Sequence, residues 1–138
     1  MRLVTLATAL GLIATPALAA SPIEGVWRTA AHGGLIQISA CGEAFCGKIV
    51  GSDQLGGDPN VLDVHNKDAA LRTRPLKGLQ ILSGFAGGPP EWKGGSIYNP
   101  DDGGTYHGSI KLDGPDSLKL TGCVVAPFCR TETWRRAK

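Results

Sequence analysis

Glycine and proline interrupt this chain at short intervals, and that punctuation limits its fold more than any other feature. AAHGG, GGDPN, FAGGPPEWKGG, NPDDGG and DGPDS each carry the residues that build tight turns. Between them lie short runs in which apolar and polar residues alternate with period two, as half-buried strands do. The expected strands are 24–30, 34–41, 46–52, 79–85, 95–98, 104–112, 117–124 and 128–135. Leu118, Leu120 and Gly122 alternate with Lys119 and Thr121, and Ile36 and Ile38 alternate with Gln37 and Ser39. Only NVLDVHNKDAALR has a helical pattern, and it is short. Many short strands with frequent turns imply an all-β, antiparallel barrel or sandwich.

The N-terminus narrows the compartment. Arg2, an apolar run from Leu3 to Ala14 and the small-residue triplet Ala17-Leu18-Ala19 follow the plan of a secretory signal peptide. The apolar run is shorter than the roughly 20 residues that span a bilayer. Cleavage after Ala19 or Ala20 is expected, with 1–20 as the signal peptide and 21–138 as one domain. No membrane anchor is expected to remain, and the mature chain would be periplasmic or secreted. Without Arg2 the chain has 13 Lys and Arg against 12 acidic residues, a balance that gives no reason to expect nucleic acid as a partner.

An oxidising compartment makes disulfides the default for an even cysteine count. CGEAFCG and CVVAPFC each place two cysteines around a predicted hairpin turn, so Cys41–Cys46 and Cys123–Cys129 are the expected pairs. Zinc usually takes reduced thiolates at closer spacing, and the redox C-x-x-C pattern is absent. His32, His65 and His107 are scattered without ligand spacing, so no metal or other cofactor is expected.

Two resemblances add to this reading. EGVWR places Gly25 and Trp27 in a G-x-W arrangement that resembles the first strand of lipocalins and other calycins. There a basic side chain from the last strand covers the tryptophan; Arg130 is the expected partner here, with Arg135 as substitute. The ordered segments GVWRT, IQISACGEAFCGKIV, LRTRPLKGLQIL, GGSIYNPDDGGTYHGSIKL and LKLTGCVVAPFCRTETWRR resemble the bacterial domain-of-unknown-function family 2147. The resemblance spans the mature chain, including the closing CRTETW with Trp134 as a structural aromatic. It implies a small, exported, up-and-down β-barrel of about eight strands, and no established reaction.

Candidate functional residues concentrate in two stretches. DVHNKDAALRTRPLKG brings together Asp63, Asn66, Arg72 and Arg74. An arginine fork recognises carboxylate or phosphate in bidentate fashion, so these residues form either an anion clamp at the barrel mouth or a polar pin for the connection. IYNPDDGGTYHG has Asp101 and Asp102 in a turn, flanked by Tyr98 and Tyr106, which could line a cavity or pack in the core. SGFAGGPPEWKGG reads as a loop on which Trp92 could cover a pocket or meet a partner. No nucleophile or carboxylate pair stands out, so a ligand-binding protein is favoured over an enzyme. The expected ligand is small and apolar or amphipathic; the alternative is an envelope protein-interaction module.

Overall fold

The computed structural model describes residues 11–15, 19–52 and 60–138; most of the expected leader lies outside these. β1 (Gly25–Arg28), β2 (Leu35–Cys41), β3 (Ala44–Gly51), β4 (Gln80–Gly87), β5 (Glu91–Asn99), β6 (Gly104–Leu112), β7 (Ser117–Val125) and β8 (Phe128–Arg136) follow one another around a closed barrel. Every neighbouring pair is antiparallel, including β1 with β8. Closure removes the unpaired edges that an open sheet would expose. Alternation does the rest: Trp27, Ile36, Ile38, Ile49, Ile97, Ile110, Leu118, Leu120 and Trp134 are buried, while most of their strand neighbours are partly or fully exposed.

The stretch read as a loop around Trp92 is instead a hairpin. Trp92 and Phe85 are 1% and 0% exposed, in the core. Their strands break the period-two rule: Leu82 and Phe85 are buried three positions apart, as are Trp92 and Gly95. Gly84 (φ 73°) and Gly94 (φ 71°) supply the left-handed residues that let each strand bulge and change phase. Gly95 then leaves room for the Phe85 ring, which stands 2.4 Å from where a Cβ would be. The candidate helix at 60–72 is also corrected, to one 3-10 turn at Ala69–Leu71 capped by Asp68. The chain doubles back there as a short ladder, with Leu62 opposite Pro75 and the Asp63 amide donating to the Arg74 carbonyl at 3.0 Å.

The closed end explains the G-x-W arrangement. Trp27 donates its indole N–H to the Ile23 carbonyl at 2.9 Å, and the buried Ile23 plugs the barrel. Arg136, not Arg130 or Arg135, covers the indole, with its guanidinium carbon 4.2 Å from the ring centroid. Its nitrogens donate to the carbonyls of Pro22, Glu24 and Pro115 at 2.7, 2.9 and 3.0 Å. Gly25 (φ 129°) is required beside it, since a Cβ would meet the guanidinium at 2.6 Å. Arg130 fails as the partner because it starts β8 at the opposite end, paired across from Gly122. Arg135 fails by parity, one residue out of phase with Trp134 and Arg136. Replacing Arg136 by alanine is expected to cost about 2 kcal/mol in urea unfolding, the sum of a desolvated cation–π contact and lost hydrogen bonds. Arg130→Ala should stay within about 0.5 kcal/mol, as an exposed charge does; equal effects would refute this assignment.

Both expected disulfides are present, and the described residues include no free cysteine. Cys123 and Cys129 face each other directly across β7 and β8, with Cα atoms 4.0 Å apart. Cys41 and Cys46 join diagonally at 5.8 Å, because the turn is only Gly42-Glu43 and Ser39 is the residue facing Cys46. These short loops lock hairpin register more than they restrain distant segments.

Candidate functional site

The strand order assigns the loops to two ends. The turns β2–β3, β4–β5 and β6–β7 lie at the end plugged by Ile23; the connections β1–β2, β3–β4, β5–β6 and β7–β8 lie at the other. That second end opens on a cavity of about 520 Å³. Ile36, Ile49, Ile81, Ile97, Leu120 and Trp134 give it apolar walls, and His32, Asn99, Asp101, Asp102, Arg130 and Glu132 give it a polar rim. The inner face of β8 is a depth gauge: the Arg130 side chain is 84% exposed, Glu132 31%, and Trp134 is buried. Cavity and closed core are therefore two halves of one interior, divided near Trp134.

Of the sequence candidates, Asp63, Asn66, Arg74 and Tyr98 come together. Asp63 is fully buried and accepts from the Tyr98 hydroxyl at 2.6 Å, the Asn66 amide at 2.9 Å and Arg74 Nε at 2.9 Å. Burial opposes its ionisation, but these hydrogen bonds and the Arg74 charge outweigh that and hold its carboxyl below the usual range. Burial and the carboxylate raise the Tyr98 hydroxyl in turn. Arg74 also stacks 5.3 Å from the Tyr98 ring centroid. Arg72 serves the same ladder, donating through Nε to the Asn66 carbonyl at 2.7 Å. These contacts build the polar pin: the Nε–H of each arginine is engaged within the chain.

Tyr98 and Tyr106 both line the cavity. Tyr106 donates its hydroxyl to Asp102 at 2.5 Å, and Asp102 also accepts the Gly104 amide at 2.7 Å. Burial opposes, but these bonds outweigh it, and the Asp102 carboxyl also lies below its usual range. Trp92 lies at the closed end, edge-on to Phe45 at 6.1 Å between centroids, and takes no part in the cavity.

The rim contains residues that sequence reasoning gave other roles. His32 and Asp101 stand 3.2 Å apart. They come from the β1–β2 and β5–β6 connections, which face each other with β3 and β4 on one side and β7 and β8 on the other. Their contact therefore straps the mouth across its width. Among the described residues, His32 is the one non-glycine at positive φ (58°), a conformation that needs support from its surroundings. Glu132 accepts from the Trp134 indole N–H at 3.3 Å and stands 3.8 Å from Arg130. The signal that could have found Arg130 and Glu132 was their parity with the buried Trp134.

A closed antiparallel ring with a cup open at one end defines a lipocalin-like fold. The chain is similar to protein HP1028 from Helicobacter pylori, described as belonging to the lipocalin family, with a TM-score of 0.74 and 24% identity over 84% of this chain and 83% of that one. The bacterial family described as "Uncharacterized protein conserved in bacteria (DUF2147)" matches residues 25–136, and this chain belongs to it. No curated protein matches the sequence. At this identity, the likeness to HP1028 establishes the fold alone.

Proposed function

We propose that this protein is an exported binding protein whose barrel cavity takes one small apolar or amphipathic molecule. The cavity itself carries the reading: about 520 Å³ lies within the range of small-ligand sites, apolar inside with a few polar groups at its rim. Binding is favoured over catalysis because the rim carboxylates are engaged with Tyr106, His32, Arg130 and Trp134, and no activated nucleophile stands among them. Export is supported by the leader-like N-terminus, where Leu12 and Ile13 are 98% and 91% exposed, and by two disulfides that need an oxidising compartment such as the periplasm. The test is titration with N-phenylnaphthylamine, a neutral apolar dye that fluoresces when removed from water. A saturable, one-to-one rise is expected; a rise that never saturates would sink the reading.

One observation favours a second reading, a protein-interaction module. The β7–β8 tip exposes Val124, Val125 and Phe128 at 68, 58 and 73%, over a disulfide base. Buried Trp92 cannot serve as such a surface, so Phe128→Asp is the discriminating variant. It should abolish capture of an envelope partner under the second reading and leave dye binding intact under the first.

A further inference from the structure

The polar groups of the cavity are biased in both charge and hydrogen-bonding sense. Its ionisable lining consists of Asp101, Asp102 and Glu132 against Arg130 and His32, the last a cation only when protonated. Arg130 stands at the lip, largely in water, and lies nearest Glu132; His32 faces Asp101. Asp102 meets no cation of the lining: its partners are the Tyr106 hydroxyl, the Gly104 amide and the Asn99 side chain. Lys67 attracts it from the exposed connection but lies outside the cavity. Carboxylates therefore outnumber cations in the lining.

Three neutral side chains lean the same way, and the amide of a fourth, Asn99, is turned on Asp102. Tyr98 and Tyr106 spend their hydroxyl protons on Asp63 and Asp102, and Trp134 spends its indole N–H on Glu132. A phenol oxygen that has donated its proton can only accept further bonds, and a carboxylate can only accept; the Tyr98 oxygen already accepts from the Asn66 amide at 3.1 Å, so Tyr106 and the carboxylates are what face a ligand. The rim thus offers a ligand acceptors and negative charge, above an isoleucine-rich apolar wall. A carboxylate or phosphate placed there would meet more like charge than opposite, with Arg130 at the solvent-exposed lip as its cationic donor.

We infer that the cavity selects an amphipathic molecule whose polar end is an ammonium or another multi-donor cation, with its hydrocarbon part against the apolar walls. This rests on the proposed ligand-binding reading and adds a sign to it, opposite to the anion clamp that Arg72 and Arg74 suggested in the sequence. An attraction between a ligand ammonium and partly solvated carboxylates weakens with salt, which supplies an internal control.

The experiment uses three probes with one tail: decylammonium, decanol and decanoate, each displacing N-phenylnaphthylamine at neutral pH and low salt. Decylammonium is expected to bind at least about tenfold more tightly than decanoate, with decanol between them. Glu132→Gln and Asp102→Asn should each narrow the gap several-fold, as should raised salt; two variants guard against one failing to fold. Equal affinities, tighter decanoate, no displacement by any of the three, or a gap untouched in both variants would overturn the inference. Failure of the dye itself to bind saturably would instead remove the underlying reading of the cavity.

Discussion

Asp63→Ala is expected to remove about 3–5 kcal/mol of folding stability, a large part of what a domain this size possesses. Asp63 is fully buried, and its loss strands three donors at once: Arg74 Nε, the Asn66 amide and the Tyr98 hydroxyl. Urea denaturation at neutral pH measures the loss. Asp101→Ala, at an exposed ion pair, serves as the comparison and should change stability by less than about 1 kcal/mol. The acid limb gives a second readout. The Asp63 carboxyl in the folded protein lies below its ordinary value of 3.8, so its stabilisation is present above that pH. It is lost as pH falls from there through the folded value, where the proton must be taken up in both states. Asp63→Asn, unable to titrate, should flatten the acid slope over that window; an unchanged slope would mean that other carboxylates govern acid unfolding.

Gly122→Leu is expected to abolish dye binding, by more than tenfold, while the barrel still folds. Gly122 lies on the inner face of β7 and lines the cavity. A Cβ there would sit 3.3 Å from Ile97 Cδ1, the mobile end of a side chain, and 3.6 Å from Tyr106 Cβ. The rest of a leucine would extend into the space a ligand needs, at a stability cost of no more than about 1–3 kcal/mol. Gly108, directly across on β6, is the contrast. Its Cβ would lie 2.4 Å from the Thr121 carbonyl oxygen, a backbone atom that cannot move aside cheaply. Gly108→Leu should therefore unfold the protein, whereas Gly122→Leu should silence the cavity. Dye binding in Gly122→Leu equal to that of the unaltered protein would place the ligand elsewhere.

Local features of this barrel could be read from the sequence, and features that depend on ring closure could not. The disulfides were legible because each pair brackets its own turn, and the strands with clean alternation were found close to their ends. β4 and β5 were cut short because Gly84 and Gly94 shift the phase of burial, which makes a bulged hairpin look like a loop and hid Trp92 in it. The choice among Arg130, Arg135 and Arg136 depends on the register of β8 against β1, set only when the last strand meets the first. Asp63 and Arg74 were recognised as partners or as a clamp. Burial under the Tyr98 hydroxyl decides for the pin, and burial is a tertiary property. The rim escaped notice for a similar reason: Asp101 and Asp102 have turn chemistry and also face a cavity.

The claim that the hollow of the barrel is the binding site can be tested with a brominated decanol as a contact quencher of tryptophan fluorescence. Trp27 and Trp92 lie in the closed core, whereas Trp134 lines the cavity. Saturable, one-to-one quenching is predicted for the unaltered protein, and its loss is predicted in Trp134→Phe, where the two remaining indoles still emit. Quenching that never saturates, or that persists at full amplitude in Trp134→Phe, would contradict the account.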